Sequence, residues 1–146
     1  MEHDPGYPTP RITADVVALA GPPDARLVLL VRRAHDPFAG MWALPGGFAD
    51  EYEPLEAAAA RELVEETGIA LPDPPSRIVG VYGQRGRDPR GWTVTAAYLV
   101  DLGDGPPPVS GGDDASEARW WPLDALPPLA FDHASIVADA LAPGAA

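Results

Sequence analysis

The sequence contains no cysteine and no lysine, and it has no long run of apolar residues. Without cysteine, the chain cannot form a disulfide, a thiolate zinc site or a cysteine nucleophile, which is compatible with a reducing cytoplasm. Without lysine, a phosphate-loop lysine and Schiff-base chemistry are both excluded. No stretch approaches the roughly 18 apolar residues of a membrane helix, and the N-terminus lacks the basic region of a signal peptide. We therefore expect a soluble, cytoplasmic protein that does not enter a membrane.

The chain has 146 residues and a net charge of −12. The length predicts a single domain over residues 1–146, with a loose, proline-containing lead-in over residues 1–10. Proteins that bind nucleic-acid polymers use basic patches, so the charge argues against such a partner. A small anionic substrate would instead need a metal ion and local arginines. The alternative is that the acidity only reflects the compositional bias of a GC-rich genome.

One segment concentrates the glutamates. Six of the eight glutamates fall between residues 51 and 66. Pro54 is typical of a first helical turn and Gly68 of a helix end, so a helix is predicted from about residue 54 to residue 67. Within this helix, three carboxylates at i, i+3 and i+4 project from one side: Glu62, Glu65 and Glu66. Because like charges repel, the cluster indicates either a hard cation such as Mg²⁺ or Mn²⁺, or a solvated acidic face.

The spacing of this segment resembles the Nudix box. Its fixed positions are filled by Gly47, Glu53, Arg61, Glu62, Leu63, Glu65, Glu66, Gly68 and Ile69. The resemblance implies an α/β fold, namely a Nudix-type α/β/α sandwich with a mixed β-sheet. It also implies a hydrolase that uses divalent metal and water to cleave a nucleoside diphosphate linked to another group.

The resemblance assigns roles to residues of the box and its surroundings. The metal ligands would be Glu62, Glu65, Glu66 and the backbone carbonyl of Gly46. Arg61 would pair with Glu53 to orient the loop, although an ion pair with Glu65 or Glu66 is the alternative. The general base would be Glu65, Glu66 or Glu117, the last of which follows a Gly- and Pro-rich loop. An ordinary strand-edge glutamate is the alternative for Glu117.

Hydrophobic patterning places the other elements. Strands are predicted over residues 12–20, 26–33, 42–44, 77–84 and 93–100, and a tight turn over residues 45–47. The first two strands form a plausible hairpin. On the acidic helix, the predicted packing stripe is Ala60, Leu63 and Thr67. A final helix, capped by Asp132, is predicted to end near residue 141.

Two flanking stretches resemble the Nudix subgroup that contains ADP-ribose pyrophosphatases and ADP-ribose-sensing regulators. They are GRDPRGW over residues 86–92 and AFDHASIVADAL over residues 130–141. The candidate substrate-binding residues are Arg33, preferred over Arg32 at the end of the second strand, with Arg85, Arg87, Tyr82 and Phe131. The alternatives are solvated arginines and core aromatics.

The expected reaction is hydrolysis of ADP-ribose to AMP and ribose 5-phosphate, on a small nucleotide substrate. One alternative is a nucleoside triphosphate pyrophosphohydrolase that clears nucleotides, and another is a sensor that binds ADP-ribose without catalysis. The subgroup resemblance also implies a homodimer.

Overall fold

The computed structural model describes residues 6–142. Its elements are β1 (Arg11–Ala20), β2 (Leu27–Arg33), β3 (Trp42–Ala43), β4 (Gly46–Phe48), α1 (Leu55–Thr67), β5 (Arg77–Tyr82), β6 (Thr93–Asp101), β7 (Ala115–Pro122) and α2 (His133–Leu141). Of the predicted lead-in, residues 1–5 lie outside the described residues, and residues 6–10 form neither strand nor helix.

The seven strands form one mixed sheet. β1 is parallel to β6 along its length, from Arg11 opposite Thr93 to Leu19 opposite Asp101. β5 is antiparallel to β6, and β7 is antiparallel to β2. The expected β1–β2 hairpin is confined to two residue pairs at the end of β1, because β4 occupies the same edge of β1 over Thr13–Asp15.

Both faces of the sheet are covered. Alternate residues of β1 point to opposite faces: Val16 and Ala18 pack with Leu63 of α1, whereas Val17 and Leu19 pack in the cluster that contains α2. The result is two apolar layers, one under each helix. The predicted α/β/α sandwich with a mixed sheet is confirmed.

Helix α1 follows the sequence signals closely. Pro54 precedes its first residue, and Gly68 ends it in the left-handed conformation (φ 82°) while its N–H donates to the Val64 carbonyl. The predicted packing stripe was partly wrong. Leu63 and Thr67 are buried as expected, but Ala60 is only half-buried, and the buried alanines are Ala58 and Ala59.

The predicted tight turn at residues 45–47 was also wrong. Gly46 and Gly47 belong to β4 and pair with Asp15 and Ala14 of β1. These glycines are required by close approach: a Cβ on Gly46 would overlap the Asp15 carboxylate and the Ala14 carbonyl. Among residues 6–142, no helix combines the length and the apolar character that crossing a membrane requires.

Candidate active site

A cavity of about 360 Å³ is lined by residues of β1, β4, α1, the loops before β6 and β7, and the entry to α2. Its volume falls within the range of small-molecule sites, roughly 300–1,000 Å³. Two parts of its lining carry opposite charge. We call Glu62, Glu65, Glu66 and Asp113 the acidic wall, and Arg33, Arg90 and Phe131 the cationic wall.

Three carboxylates of the acidic wall converge. Glu62, Glu65 and Asp113 can each offer one oxygen, and these oxygens lie within 4.8 Å of one another. The first two come from α1, and Asp113 comes from the loop before β7. Gly112 allows this loop to approach α1, because a Cβ there would lie 2.7 Å from the Glu65 carbonyl oxygen.

Strand β4 presses against the same cluster. A Cβ on Gly47 would lie 2.7 Å from the carboxyl carbon of Glu62, so a larger residue at this position would have to displace the Glu62 carboxylate. Burial raises the pKa of Glu62, and the hydrogen bond from Arg61 partly opposes that shift. Burial therefore disfavours the charge of this carboxylate even with the Arg61 guanidinium bonded to it.

Glu66 lies deeper on the acidic wall. Its Oε1 accepts a hydrogen bond from the Gly46 N–H at 2.9 Å. Burial raises its pKa to about 8 against the effect of that hydrogen bond, and the charges of Glu62, Asp15 and Asp114 add to the rise. Converging, partly desolvated oxygen donors with raised pKa values are suited to a hard divalent cation, so the acidic wall fits Mg²⁺ or Mn²⁺.

Arg61 organises the base of the acidic wall. Its guanidinium donates two hydrogen bonds of 2.9 Å to Glu53, the pairing that the family resemblance implies. It also donates to the Phe48 carbonyl at 3.0 Å. Nη1 also donates to Glu62 at 2.9 Å and to Glu65 at 3.1 Å, so the alternative ion pair is present as well. These bonds lower the pKa of Glu53 to about 2 and raise that of Arg61.

The cationic wall is built around an aromatic ring. The guanidinium carbon of Arg33 lies 5.0 Å from the ring centre of Phe131, and that of Arg90 lies 5.6 Å away. Asp88 holds Arg90 with bonds of 3.1 and 2.8 Å. Arg33 donates to the Pro37 carbonyl at 2.7 Å, and within the described chain it forms no salt bridge. Burial and the nearby Arg90 lower the pKa of Arg33.

The other predicted arginines are placed differently. Arg87 lines the cavity, but its side chain is 5% exposed and its charge is neutralised by Asp132 through bonds of 2.9 and 2.7 Å. Asp132 is at the predicted N-cap position of α2, but its side chain makes no hydrogen bond to the helix. Arg85 lies in a separate surface pocket with Trp92, because the loop turns it away from the cavity.

Two further predicted residues are not brought to the cavity. Tyr82 faces α2, where its hydroxyl donates to Asp139 at 2.8 Å. Glu117 is exposed on β7, opposite Arg32, because the strand already begins at Ala115. Asp113 reaches the acidic wall instead, and the sequence analysis did not single it out. Its signal was the pair of glycines before two adjacent aspartates, which allows a close backbone approach.

Comparison with known proteins agrees with this geometry. Residues 9–140 match the NUDIX domain, and the chain belongs to the Nudix family. An ADP-ribose pyrophosphatase of Methanocaldococcus jannaschii is 44% identical over 77% of this chain and 64% of that protein. The chain thus spans less than two thirds of that relative.

Two similar proteins are described as responsive to, or complexed with, ADP-ribose. The ADPR responsive transcriptional repressor NtrR of Acinetobacter baylyi is 40% identical over 64% of this chain and 38% of that protein. The NUDIX domain of Shewanella oneidensis NrtR, complexed with ADP ribose, is 35% identical, with a TM-score of 0.83 over 94% of this chain and 91% of that chain.

Proposed function

We propose that this protein is a metal-dependent Nudix pyrophosphohydrolase that cleaves the pyrophosphate bond of a nucleoside diphosphate linked to another group. ADP-ribose, giving AMP and ribose 5-phosphate, is the proposed substrate. The observation that carries the proposal is the pairing of the acidic wall with the cationic wall in one cavity. A metal–pyrophosphate complex carries the charges that both walls need.

The acidic wall is the proposed metal site. Glu62, Glu65 and Asp113 would hold Mg²⁺ or Mn²⁺, with Glu66 beside them. The bound metal would neutralise the pyrophosphate and lower the pKa of bound water. The carbonyl of Gly46 stays a predicted additional ligand, and its N–H fixes one oxygen of Glu66.

The chain's own side chains supply binding and proton transfer. Arg33 has no carboxylate partner among the described residues, so it can donate charge-assisted hydrogen bonds to a phosphate. Arg90, aligned by Asp88, would support the same phosphate. Glu66 is the proposed proton acceptor because it lines the cavity beside the proposed metal site and its Oε2 is not used by Gly46. Glu65 is the other candidate.

The test is hydrolysis by purified protein with Mg²⁺ or Mn²⁺ on ADP-ribose, other nucleotide sugars, dinucleotides and nucleoside triphosphates. We expect preferred turnover of ADP-ribose, abolished by EDTA and lost in Glu65→Gln and Glu66→Gln. Preferred turnover of triphosphates would contradict ADP-ribose as the substrate and would favour a nucleoside triphosphate pyrophosphohydrolase that clears nucleotides.

A non-catalytic sensor is the second candidate, favoured by the similarity to the NtrR and NrtR proteins. Titration calorimetry with ADP-ribose separates the two. Binding without turnover of any substrate would establish the sensor, whereas turnover at micromolar protein would exclude it.

We further propose a single domain that acts as a cytoplasmic homodimer on a small nucleotide and not on a nucleic-acid polymer. The net charge of −12 supports the last point. Analytical ultracentrifugation would test the homodimer, and a monomer at micromolar concentration would contradict it.

A further inference from the structure

A buried polar chain lies behind the cavity. His133, the first residue of α2, is 4% exposed, and its Nδ1 accepts a hydrogen bond from the Leu44 N–H at 2.9 Å. An imidazole nitrogen that accepts must be unprotonated, so the proton of the neutral ring is on Nε2. Nε2 faces the Asp15 Oδ2 at 3.7 Å, and that oxygen accepts the Thr95 hydroxyl at 2.6 Å.

The Leu44 amide begins a short segment that is held at each residue. Leu44 is bonded to His133, the Pro45 carbonyl accepts the Val16 N–H at 2.9 Å, and the Gly46 N–H donates to Glu66 at 2.9 Å. Gly46, at the end of the segment, is fixed in position because its backbone pairs with β1 and lies directly against it. We therefore expect a shift at Leu44 to move the Gly46 amide, which bonds Glu66.

We propose that His133 is a positioning residue for the acidic wall: its Nδ1 fixes the segment from Leu44 to Gly46, so that the Gly46 amide holds Glu66 in place. This inference rests on the proposed function for its catalytic consequence. His133 also borders the cavity, but both ring nitrogens are directed at Leu44 and Asp15. It acts through the backbone and not on substrate.

The neighbouring residues show why this contact is specific. Phe131 contributes its ring to the cationic wall, and Asp132 neutralises Arg87. His133 accepts the hydrogen bond from Leu44, at the start of the segment that leads to the acidic wall. The entry to α2 therefore joins both walls.

Three variants test the proposal. His133→Leu removes the acceptor, and His133→Asn keeps one, because the asparagine Oδ1 can occupy the place of Nδ1. Val137→Ala, on the same helix and in the same buried cluster as Leu44, loosens the packing of α2 but leaves the hydrogen bond between His133 and Leu44 in place. The readouts are amide hydrogen exchange at Leu44 and Gly46, Mn²⁺ affinity by direct titration, and kcat and KM for ADP-ribose.

His133→Leu is expected to speed exchange at Leu44 and Gly46 relative to the rest of the sheet, to weaken Mn²⁺ binding, and to lower kcat about tenfold with little change in KM. His133→Asn should restore most of the exchange protection and of kcat. Val137→Ala should lower stability with no selective change at these two amides.

Two results would overturn the proposal: an asparagine variant as impaired as the leucine variant, or the same pattern of exchange and Mn²⁺ affinity in His133→Leu and Val137→Ala. Exchange and Mn²⁺ titration require no turnover. If they behave as expected while no nucleotide is hydrolysed, the positioning role stands and the proposed function fails.

Discussion

Arg61 and Arg33 border the same cavity in opposite electrostatic settings. Arg61 binds Glu53, Glu62 and Glu65, so its charge is more than balanced by the protein itself. Arg33 is half-buried beside a second arginine, and its hydrogen-bond partner is a backbone carbonyl. One arginine builds a site, and the other is available to a ligand.

Each wall carries charge that the protein itself does not neutralise, and a charged ligand would neutralise it. The acidic wall keeps an excess of negative charge even after Arg61 is counted, and desolvation raises the pKa of Glu62 and Glu66. The cationic wall keeps positive charge in a protein whose net charge is −12. Charges left partly desolvated are costly unless they are paired, which supports the proposal that both walls bind a charged ligand.

The largest effect is expected from the substitution of Asp113, which the structure places in the acidic wall. The matched substitution is at Glu117, the carboxylate that the sequence suggested. Asp113→Asn removes a charged oxygen from the converging cluster, and we expect a loss of at least about a hundredfold in kcat/KM at limiting Mg²⁺. Glu117→Gln, on the exposed side of β7, should lose far less. Steady-state kinetics over a range of Mg²⁺ concentrations would measure both. A greater loss in Glu117→Gln would mean that the loop before β7 rearranges during turnover.

The cationic wall is tested by adjacent arginines. Arg33→Ala removes a guanidinium with no salt-bridge partner in the described chain, and we expect KM for ADP-ribose to rise roughly tenfold to a hundredfold, the cost of one charge-assisted hydrogen bond. Arg32→Ala is the matched control, since Arg32 points to the other side of β2 and bonds the exposed Gly40 carbonyl. Equal effects from both variants would show that only general charge matters.

The sequence predicted the carboxylates of α1 better than it predicted which loop and strand residues reach the cavity, and the reason is physical. Glu62, Glu65 and Glu66 lie within one helical turn, where local periodicity fixes their relative positions. The position of Asp113 depends on how a loop packs against α1, and the side of a strand on which Tyr82 lies depends on register with β6. Such long-range contacts leave only weak signals in a single sequence.

The same limit applies to the fold. Strands β1, β2, β3, β5 and β6 and the two helices followed from patterning and from Pro54 and Gly68, and the family resemblance implied the mixed sheet. β4 was predicted as a turn. The partner of each strand did not follow. β4 takes the edge of β1 that a simple hairpin would have used, and residues 46 and 47, which look like a turn, are glycines because the backbone comes close to Asp15 and Glu62.

Substitution of Gly47 tests whether its close approach to Glu62 matters for metal binding. Gly47→Ala would place a methyl group 2.7 Å from the Glu62 carboxyl carbon, and such overpacking costs about 1–3 kcal/mol when the neighbour cannot move freely. We expect weaker Mn²⁺ binding together with a lower free energy of unfolding. Gly105→Ala is the control, because a Cβ there meets nothing within 4 Å. Unchanged Mn²⁺ affinity in Gly47→Ala would show that Glu62 tolerates displacement.

The smallest expected effect is on the pH dependence of the free energy of unfolding. Glu66 and His133 contribute to this dependence with opposite signs. Burial raises the pKa of Glu66 to about 8. Its contribution to stability is therefore present below its unfolded pKa of about 4.5 and is lost as pH rises through about 8. Burial lowers the pKa of His133, and the charges of Arg87 and Arg33 lower it further. The charges of Asp15 and Asp132 raise it, but by less than burial lowers it. Its contribution is present above its unfolded pKa of about 6.5 and is lost as pH falls below that value.

Because these two contributions oppose each other only below about pH 6.5, the free energy of unfolding of the metal-free protein should change little between about pH 5 and pH 6.5. It should then fall from about pH 6.5 to pH 8, where only the Glu66 contribution is being lost. His133→Asn removes one contribution, so its stability should fall with rising pH already below about pH 6.5, whereas the stability of Glu66→Gln should increase with pH up to about pH 6.5. Each slope is limited to about 1.4 kcal/mol per pH unit for one proton. Urea denaturation in EDTA at several pH values would measure them. If His133→Asn kept the wild-type slope below pH 6.5, His133 would not be held neutral by burial, and its acceptor bond to the Leu44 amide would lose its electrostatic basis.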